Sequence, residues 1–414
     1  MMRFAVLPVL FLATAVAGQS PPGYTIALDT ALRGYDGKTC WVHPRAGIIP
    51  GKMPVAIMTM LKLTVTGTDL YSPTWDTRSD DLGKTWSTPV EQTDTLGRRP
   101  EPHGVEYGIC DFSPQWHAPS RKLLAIGHTV RYKNSKVVED RARETAYAVY
   151  DEAARTWSPW ATVTMPDEPR YFNSGAGCAQ RVDLPDGTIL LPTYYKLRGT
   201  TDACVAVMKC KFDGKTLTVE KIGNELKTLG SRGFGEPSLT LFKNRYYLTL
   251  RNDQAGYVCS SADGLNFDEP KKWCFDDGTD LGNYNTQQHW VTHSNGFFLV
   301  YTRKGAMNDH VFRYRAPLFI AQVDPVKLQV IRATEKVLIS ERGARLGNFG
   351  VVNVSPTETW VTVAEWMQTW PPKKTLPVDN PKGADNSVYI ARILWAKPND
   401  LVAVETLIPA ISKP

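Results

Sequence analysis

Short runs rich in apolar, β-branched and aromatic residues recur along the chain, at 55–63, 123–128, 188–195, 246–251, 296–302 and 359–365. Turn-rich segments separate them, and amphipathic helical patterns are nearly absent. Many short strands at regular spacing predict an all-β architecture made of repeated small sheets. No stretch reads as a linker to a second domain. The polar, Pro-rich segment 371–381 reads as a loop, because strand-like sequence resumes after it.

One octapeptide sharpens this picture. Ser79, Asp81, Gly83, Thr85 and Trp86 form the pattern S-x-D-x-G-x-T-W. Ser79 and Asp81 can bond turn backbone groups, Gly83 can take positive φ without a Cβ penalty, and Trp86 starts the next strand with a large ring to bury. The pattern resembles the Asp-box of sialidase-like β-propellers. Shortened forms follow at 261–267 and, without the Gly, at 151–157. The resemblance implies a six-bladed β-propeller of sialidase type occupying 19–414 as one domain. About 66 residues per blade exceeds the roughly 40–45 of a minimal four-stranded blade, so long loops are expected, and such loops build binding sites. The Asp-box itself usually lies on the rim, so it points to an architecture rather than a reaction.

Composition adds bounds. Hydrophobic content is 42% and charged content 22%, as in ordinary globular proteins. The formal net charge of +6 is spread along the chain. It does not indicate nucleic acid, and it suits an anionic substrate. Arg3, the apolar run 4–13 and Ala15-Val16-Ala17 read as a signal peptide over 1–18, which predicts a secreted or periplasmic protein. No other stretch is apolar enough to span a membrane. The twelve Trp read first as blade cores and second as sugar-stacking rings. Seven Cys leave at least one unpaired, with Cys259 and Cys274 the first pair to test and scattered buried thiols the alternative. No spacing suggests zinc, and nothing in the sequence requires a cofactor.

The likeness to bacterial sialidases extends over most of the chain. Arg45 fits the Arg-Ile-Pro position of the first strand. Glu236-Pro237-Ser238 followed by Leu250-Arg251-Asn252 is similar to the family's N-E-P and R-N segments, and Arg315 fits the place of the third arginine. By this resemblance Arg45, Arg251 and Arg315 clamp a sugar carboxylate through charge-assisted hydrogen bonds. Glu365 steadies the first of them. Asp69 is the acid for the leaving oxygen, with Asp76 as rival, and Glu236 activates the nucleophile. The implied activity is exo-acting hydrolysis of acidic glycans, terminal sialic acid foremost.

The pattern breaks at one place. Retaining sialidases attack with a Tyr, but Asn348 or Phe349 stands where it belongs. Three explanations stay open. The Tyr is relocated, with Tyr284 the first choice; Gln288 and His289 activate a water and the reaction inverts; or the chemistry differs. His293 and His310 are spare candidates. A lyase or uronic-acid-specific hydrolase and a non-catalytic glycan-binding propeller are the competing readings, which fold alone cannot separate.

Overall fold

The computed structural model describes residues 22–370 and 376–402. The signal-peptide reading and part of the Pro-rich loop therefore lie outside the described residues. The described residues form an all-β propeller of six antiparallel sheets. In chain order their innermost strands are Thr39–Ile49, Val105–His117, the pair Asn173–Gly175 and Val182–Asp183, Gly235–Phe242, His289–His293 and Gly350–Ser355. Each sheet packs beside the next, and the inner strand of the last returns to that of the first, so the sheets close a ring around a central axis. Tyr24–Leu32 pairs antiparallel with Val388–Trp395 and becomes the outer strand of the final sheet. The two ends of the described chain are thereby joined in one sheet.

The near-continuous apolar runs have a simple cause. Each sheet is covered on both faces by its neighbours, so alternation gives way to burial on both sides. An apolar cluster fills every gap in the ring. Ile57 meets Ile109 and Trp157 between the first two sheets. Leu124 meets Ile189 and Met208 between the second and third. Leu190 meets Leu239 and Leu248 between the third and fourth. Phe242 stacks on Phe297 at 4.9 Å between the fourth and fifth. Val291 meets Val361 and Tyr389 between the fifth and sixth, and Met58 meets Trp360 and Ile390 between the sixth and first. Trp157, Trp160, Trp273, Trp290 and Trp360 are fully buried, which is the core role weighed first for the tryptophans.

The octapeptide forms the expected turn. Ser79 Oγ accepts from Gly83 N at 2.7 Å, and Asp81 accepts from Thr85 N at 2.9 Å and from Thr85 Oγ1 at 2.7 Å. Gly83 has φ +76°, and a Cβ there would stand 2.9 Å from the Arg392 guanidinium and 3.0 Å from Trp360. The turn thus packs the first sheet onto the last. The shortened copy repeats the scheme, with Ser261 Oγ accepting from Gly264 N and Asp263 from Leu265 N and Asn266 N. At 151–157, where Gly is missing, Arg155 takes the positive φ instead.

All seven cysteines are free, so the structure does not form the Cys259–Cys274 pair. Cys259 is buried on the Leu248 carbonyl, and Cys274 accepts a contact from Gln329. Among the described residues no helix is long and apolar enough to cross a membrane.

Thr85, through its amide and then its hydroxyl, holds the Asp81 carboxyl down to about 2, against an ordinary Asp value of about 3.9. A depressed carboxylate contributes stability that is present above the unfolded value and lost as pH falls through the folded one. We expect the Asp81→Asn variant to show a flatter decline in melting temperature between about pH 4 and 2. An unchanged acid limb would show that the turn bonds do not carry this linkage.

Candidate active site

Three inner strands are irregular where they line one cavity. Register shifts fall between Val42 and Arg45, between Cys110 and Ser113, and between Gly235 and Ser238. At these bulges His43, Asp111 and Glu236 adopt positive φ of 55°, 56° and 42°. Bulges re-aim side chains, and non-glycine residues hold such backbone only where the surroundings impose it. All three line a cavity of about 330 Å³.

The cavity brings together Asp69, Glu236, Arg251, Arg315 and Asn348 from the sequence-based candidates. Arg251 forms an ion pair with Glu236 and donates to Asn285 Oδ1 at 2.7 Å. Arg315 donates to the Asn285 carbonyl, so Asn285 holds two of the arginines together. The second carboxylate oxygen of Glu236 is buried without a hydrogen-bond partner. Asn348 sits 2.6 Å from His43 Nε2, also at positive φ.

Two further arginines stand in this cluster that sequence reasoning missed. Arg313 and Arg345 line the same cavity. Arg345 is 1% exposed, stacks 4.1 Å from Trp366, and leaves Nε and Nη2 unpartnered. Burial, then Arg313, pushes it down to about 10. Burial, then Arg251, Arg313 and Arg345, holds Arg315 well below its ordinary value. These shifts report desolvated cations that repel one another, although each remains protonated near neutral pH. The only available signal was the alternation Arg313-Tyr314-Arg315, which places two guanidiniums one residue apart.

Beneath the cations lies a second polar group. Asp111 is 2.8 Å from His43 Nδ1, 3.1 Å from His128 Nε2 and 3.3 Å from Arg45 Nη1. Burial would raise its carboxyl, but His43, His128 and Arg45 outweigh that and hold it well below the usual range. Arg45 is spent here. It also reaches Cys178 Sγ and Gln287 Oε1, both at 3.2 Å, and does not line the cavity. His43, Cys110 and Asp111 offer ligand atoms within 4.8 Å of one another. The Arg45 guanidinium so near Asp111 opposes a cation at that point.

The remaining candidates lie elsewhere. Glu365 does not steady Arg45, correcting that expectation. It accepts from the amides of Asp385 and Ser387 and from Tyr389 Oη, with Arg342 at 3.6 Å. His289 Nδ1 is 2.6 Å from Ser238 Oγ, its ring packs on Phe349, and burial followed by Arg45 pushes it down to about 3. It lines a different cavity, of about 390 Å³, together with Arg45. Gln288 is buried, accepting from Thr249 Oγ1. Tyr284 packs against Tyr314 and under Lys304, and burial raises its hydroxyl. None of these three lines the cavity of Asp69 and Glu236. Asp76 accepts from Gln92 and from Trp157 Nε1, His293 bonds the Lys397 carbonyl, and His310 is 2.9 Å from Glu341.

No protein-family model matches this chain, and no curated protein matches it. Solved structures do. A Dyadobacter fermentans protein of unknown function is 13% identical, with a TM-score of 0.62 over 89% of this chain and 99% of the other. The Trypanosoma rangeli sialidase in complex with sialic acid is 14% identical, with a TM-score of 0.55 over 91% of this chain and 60% of its own length. The NanB sialidase of Streptococcus pneumoniae is 10% identical, with a TM-score of 0.58 over 87% and 70%. At this identity the likeness shows the fold alone, a sialidase-like propeller.

Breaking up the cation crowd has a measurable consequence. Unpaired buried charges oppose folding, and apolar replacements of similar volume relieve them. We expect Arg345→Met to raise the melting temperature in low-anion buffer by a few degrees, on the order of 1 kcal/mol. A clear fall would mean that Arg345 is satisfied in the free protein.

Proposed function

We propose that this protein is a glycosidase-like enzyme that hydrolyses acidic glycans, with terminal sialic acid the first substrate to test. The observation that carries this reading is the convergence of the partly buried Arg251 and the buried Arg315 and Arg345 on a cavity that also holds Asp69 and Glu236. Forked donors of this kind suit a carboxylate, and charge-assisted bonds contribute roughly 1.5–3 kcal/mol each. Arg345 takes the role expected of Arg45, which is engaged with Asp111. The sialidase-like fold of the solved neighbours agrees with a glycan substrate. We further read the six sheets as six blades, and we place the activity outside the cytoplasm on the strength of the signal-peptide pattern.

The proposed chemistry uses two carboxyl groups. Asp69 protonates the departing glycosidic oxygen. Glu236, held on Arg251 by one oxygen, uses its unpartnered oxygen to orient and deprotonate a water. Because Asn348 is no nucleophile, water attacks directly and the anomeric centre inverts. Gln288 and His289 take no part, since both lie outside the cavity. A second reading, β-elimination at a uronate, draws on Tyr194 and His128, which line the same cavity with ring centroids 6.3 Å apart. Its product would absorb in the ultraviolet, which a hydrolysis product does not.

Proton NMR of sialyllactose turnover tests the proposal. Initial release of β-sialic acid is expected. Initial α-sialic acid would show retention and overturn the water-attack scheme, and no release from sialosides or uronate glycans would overturn the enzymatic reading. Glu236→Gln should lower kcat about 10²–10⁴-fold with KM changed only a few-fold.

A further inference from the structure

Six cations that line the cavity have no carboxylate within 4.0 Å among the described residues: Arg141, Arg143, Lys196, Arg313, Arg315 and Arg345. Other partly buried arginines are paired. Arg131 lies 2.8 Å from Glu101 and 3.1 Å from Glu144, Arg303 2.6 Å from Glu335, and Arg181 2.8 Å from Asp183. Unpaired cations are thus concentrated where a ligand would sit.

They fall into two groups on different sides of the ring. Arg313 and Arg315 lie between the Gly296–Tyr301 and Leu318–Asp324 strands of the fifth sheet, Arg345 precedes the Gly350–Ser355 strand of the sixth, and Arg251 of the fourth acts on Arg315. Arg141 and Arg143 precede the Thr145–Asp151 strand of the second sheet, and Lys196 ends the Thr188–Lys196 strand of the third. The electrostatics follow the same division. Arg315 is pushed down by burial and then by Arg251, Arg313 and Arg345, whereas Lys196 is pushed down by burial and then by Arg143 and Arg141.

The second group is held in place. Arg143 lies over the Tyr194 ring at 5.0 Å. Gly175 leaves room for it, since a Cβ there would stand 2.8 Å from Arg143 Cδ. The Arg143 carbonyl accepts from Ser174 N at 2.9 Å, and Arg141 Nη1 donates to the Val138 carbonyl at 2.7 Å. The Nε atoms of Arg141 and Arg143 are buried without partners. Nearby acids have other partners: Glu144 serves Thr129 and Arg131, and Asp140 contacts Arg198.

The geometry points to a second anion subsite at Arg141, Arg143 and Lys196, which takes a second anionic group, a carboxylate or a sulfate ester, on a glycan that carries one. This inference rests on the acidic-glycan reading above, and it adds to the terminal acid a preference for glycans with a second anionic group, so that a singly charged sialoside turns over with the second subsite empty. The cavity, at about 330 Å³, lies within the roughly 300–1,000 Å³ of ligand sites, and its opposed cationic sides suit a ligand charged at both ends.

Selenate, a tetrahedral dianion located by its anomalous scattering, tests this directly. Crystals of the wild-type protein soaked in selenate should show two ions, one at Arg315 and Arg345 and one at Arg141 and Arg143. Arg143→Met should lose only the second, and should lose about half of the sulfate-induced rise in melting temperature in solution. A single ion at Arg315 and Arg345, unaffected by Arg143→Met, would overturn the second subsite and leave the acidic-glycan reading standing. No ion at either place, with no stabilisation by sulfate, would overturn both.

Discussion

Every sheet in this molecule is buried on both faces by its neighbours, and the ring must close for that to hold. The closing contact joins Tyr24–Leu32 to Val388–Trp395. It completes the final sheet, which covers the first through Met58, Trp360 and Ile390. A broken ring would expose an apolar face at each end of the array. The continuous hydrophobic runs, the buried tryptophans and the turn at Gly83 against Arg392 and Trp360 all serve this constraint. Flat apolar packing between large rings suits it, because rings such as Phe242 and Phe297 fill a sheet-to-sheet gap without polar atoms to satisfy.

The same constraint makes the axis different from the rest. Inner strands that converge there cannot cover one another as sheets do, and their bulges turn His43, Asp111 and Glu236 inward. Polar groups gathered in so little space must be partnered or bear the cost of desolvation. Asp111 is fully partnered by His43, His128 and Arg45, and it reads as the ordered floor of the cavity. The guanidiniums above are not: Arg315 and Arg345 keep buried nitrogens without acceptors. Arg45 below also keeps its Nε without an acceptor, but its charge is met by Asp111 at 3.3 Å, whereas Arg315 and Arg345 have no carboxylate within 4.0 Å among the described residues. That difference in charge pairing is the physical basis for assigning the upper group to a ligand and the lower group to structure. It is also a reason for the free protein to be less stable than its packing allows, since an anion supplies what the fold withholds.

Much of the architecture was legible in one dimension. Strand runs, the turn chemistry of Ser79, Asp81 and Gly83 and the burial of tryptophan all depend on local pattern, and each appears in the structure where the pattern places it. The cavity was legible in part. Asp69, Glu236, Arg251 and Arg315 do share it, whereas Arg45, Glu365, Gln288, His289 and Tyr284 do not. Arg45 and His43 show why. They are two residues apart on one strand, and the bulge between Val42 and Arg45 decides which of them reaches the cavity. No composition or spacing reports a bulge.

The amino-acid sequence by itself determined that this chain forms many short, doubly buried strands joined by defined turns, because those outcomes follow from hydrophobic periodicity and from residues that tolerate particular φ. Only the tertiary structure decided which charged side chains meet. Arg141 with Arg143, Arg313 and Arg345 come from three distant parts of the chain. Closing the ring sets them around one cavity. Their partners, or the lack of them, depend on where Glu144, Asp140 and Asp111 turn. Coulombic interactions depend on distance in space and on burial, and neither quantity exists until the sheets have packed.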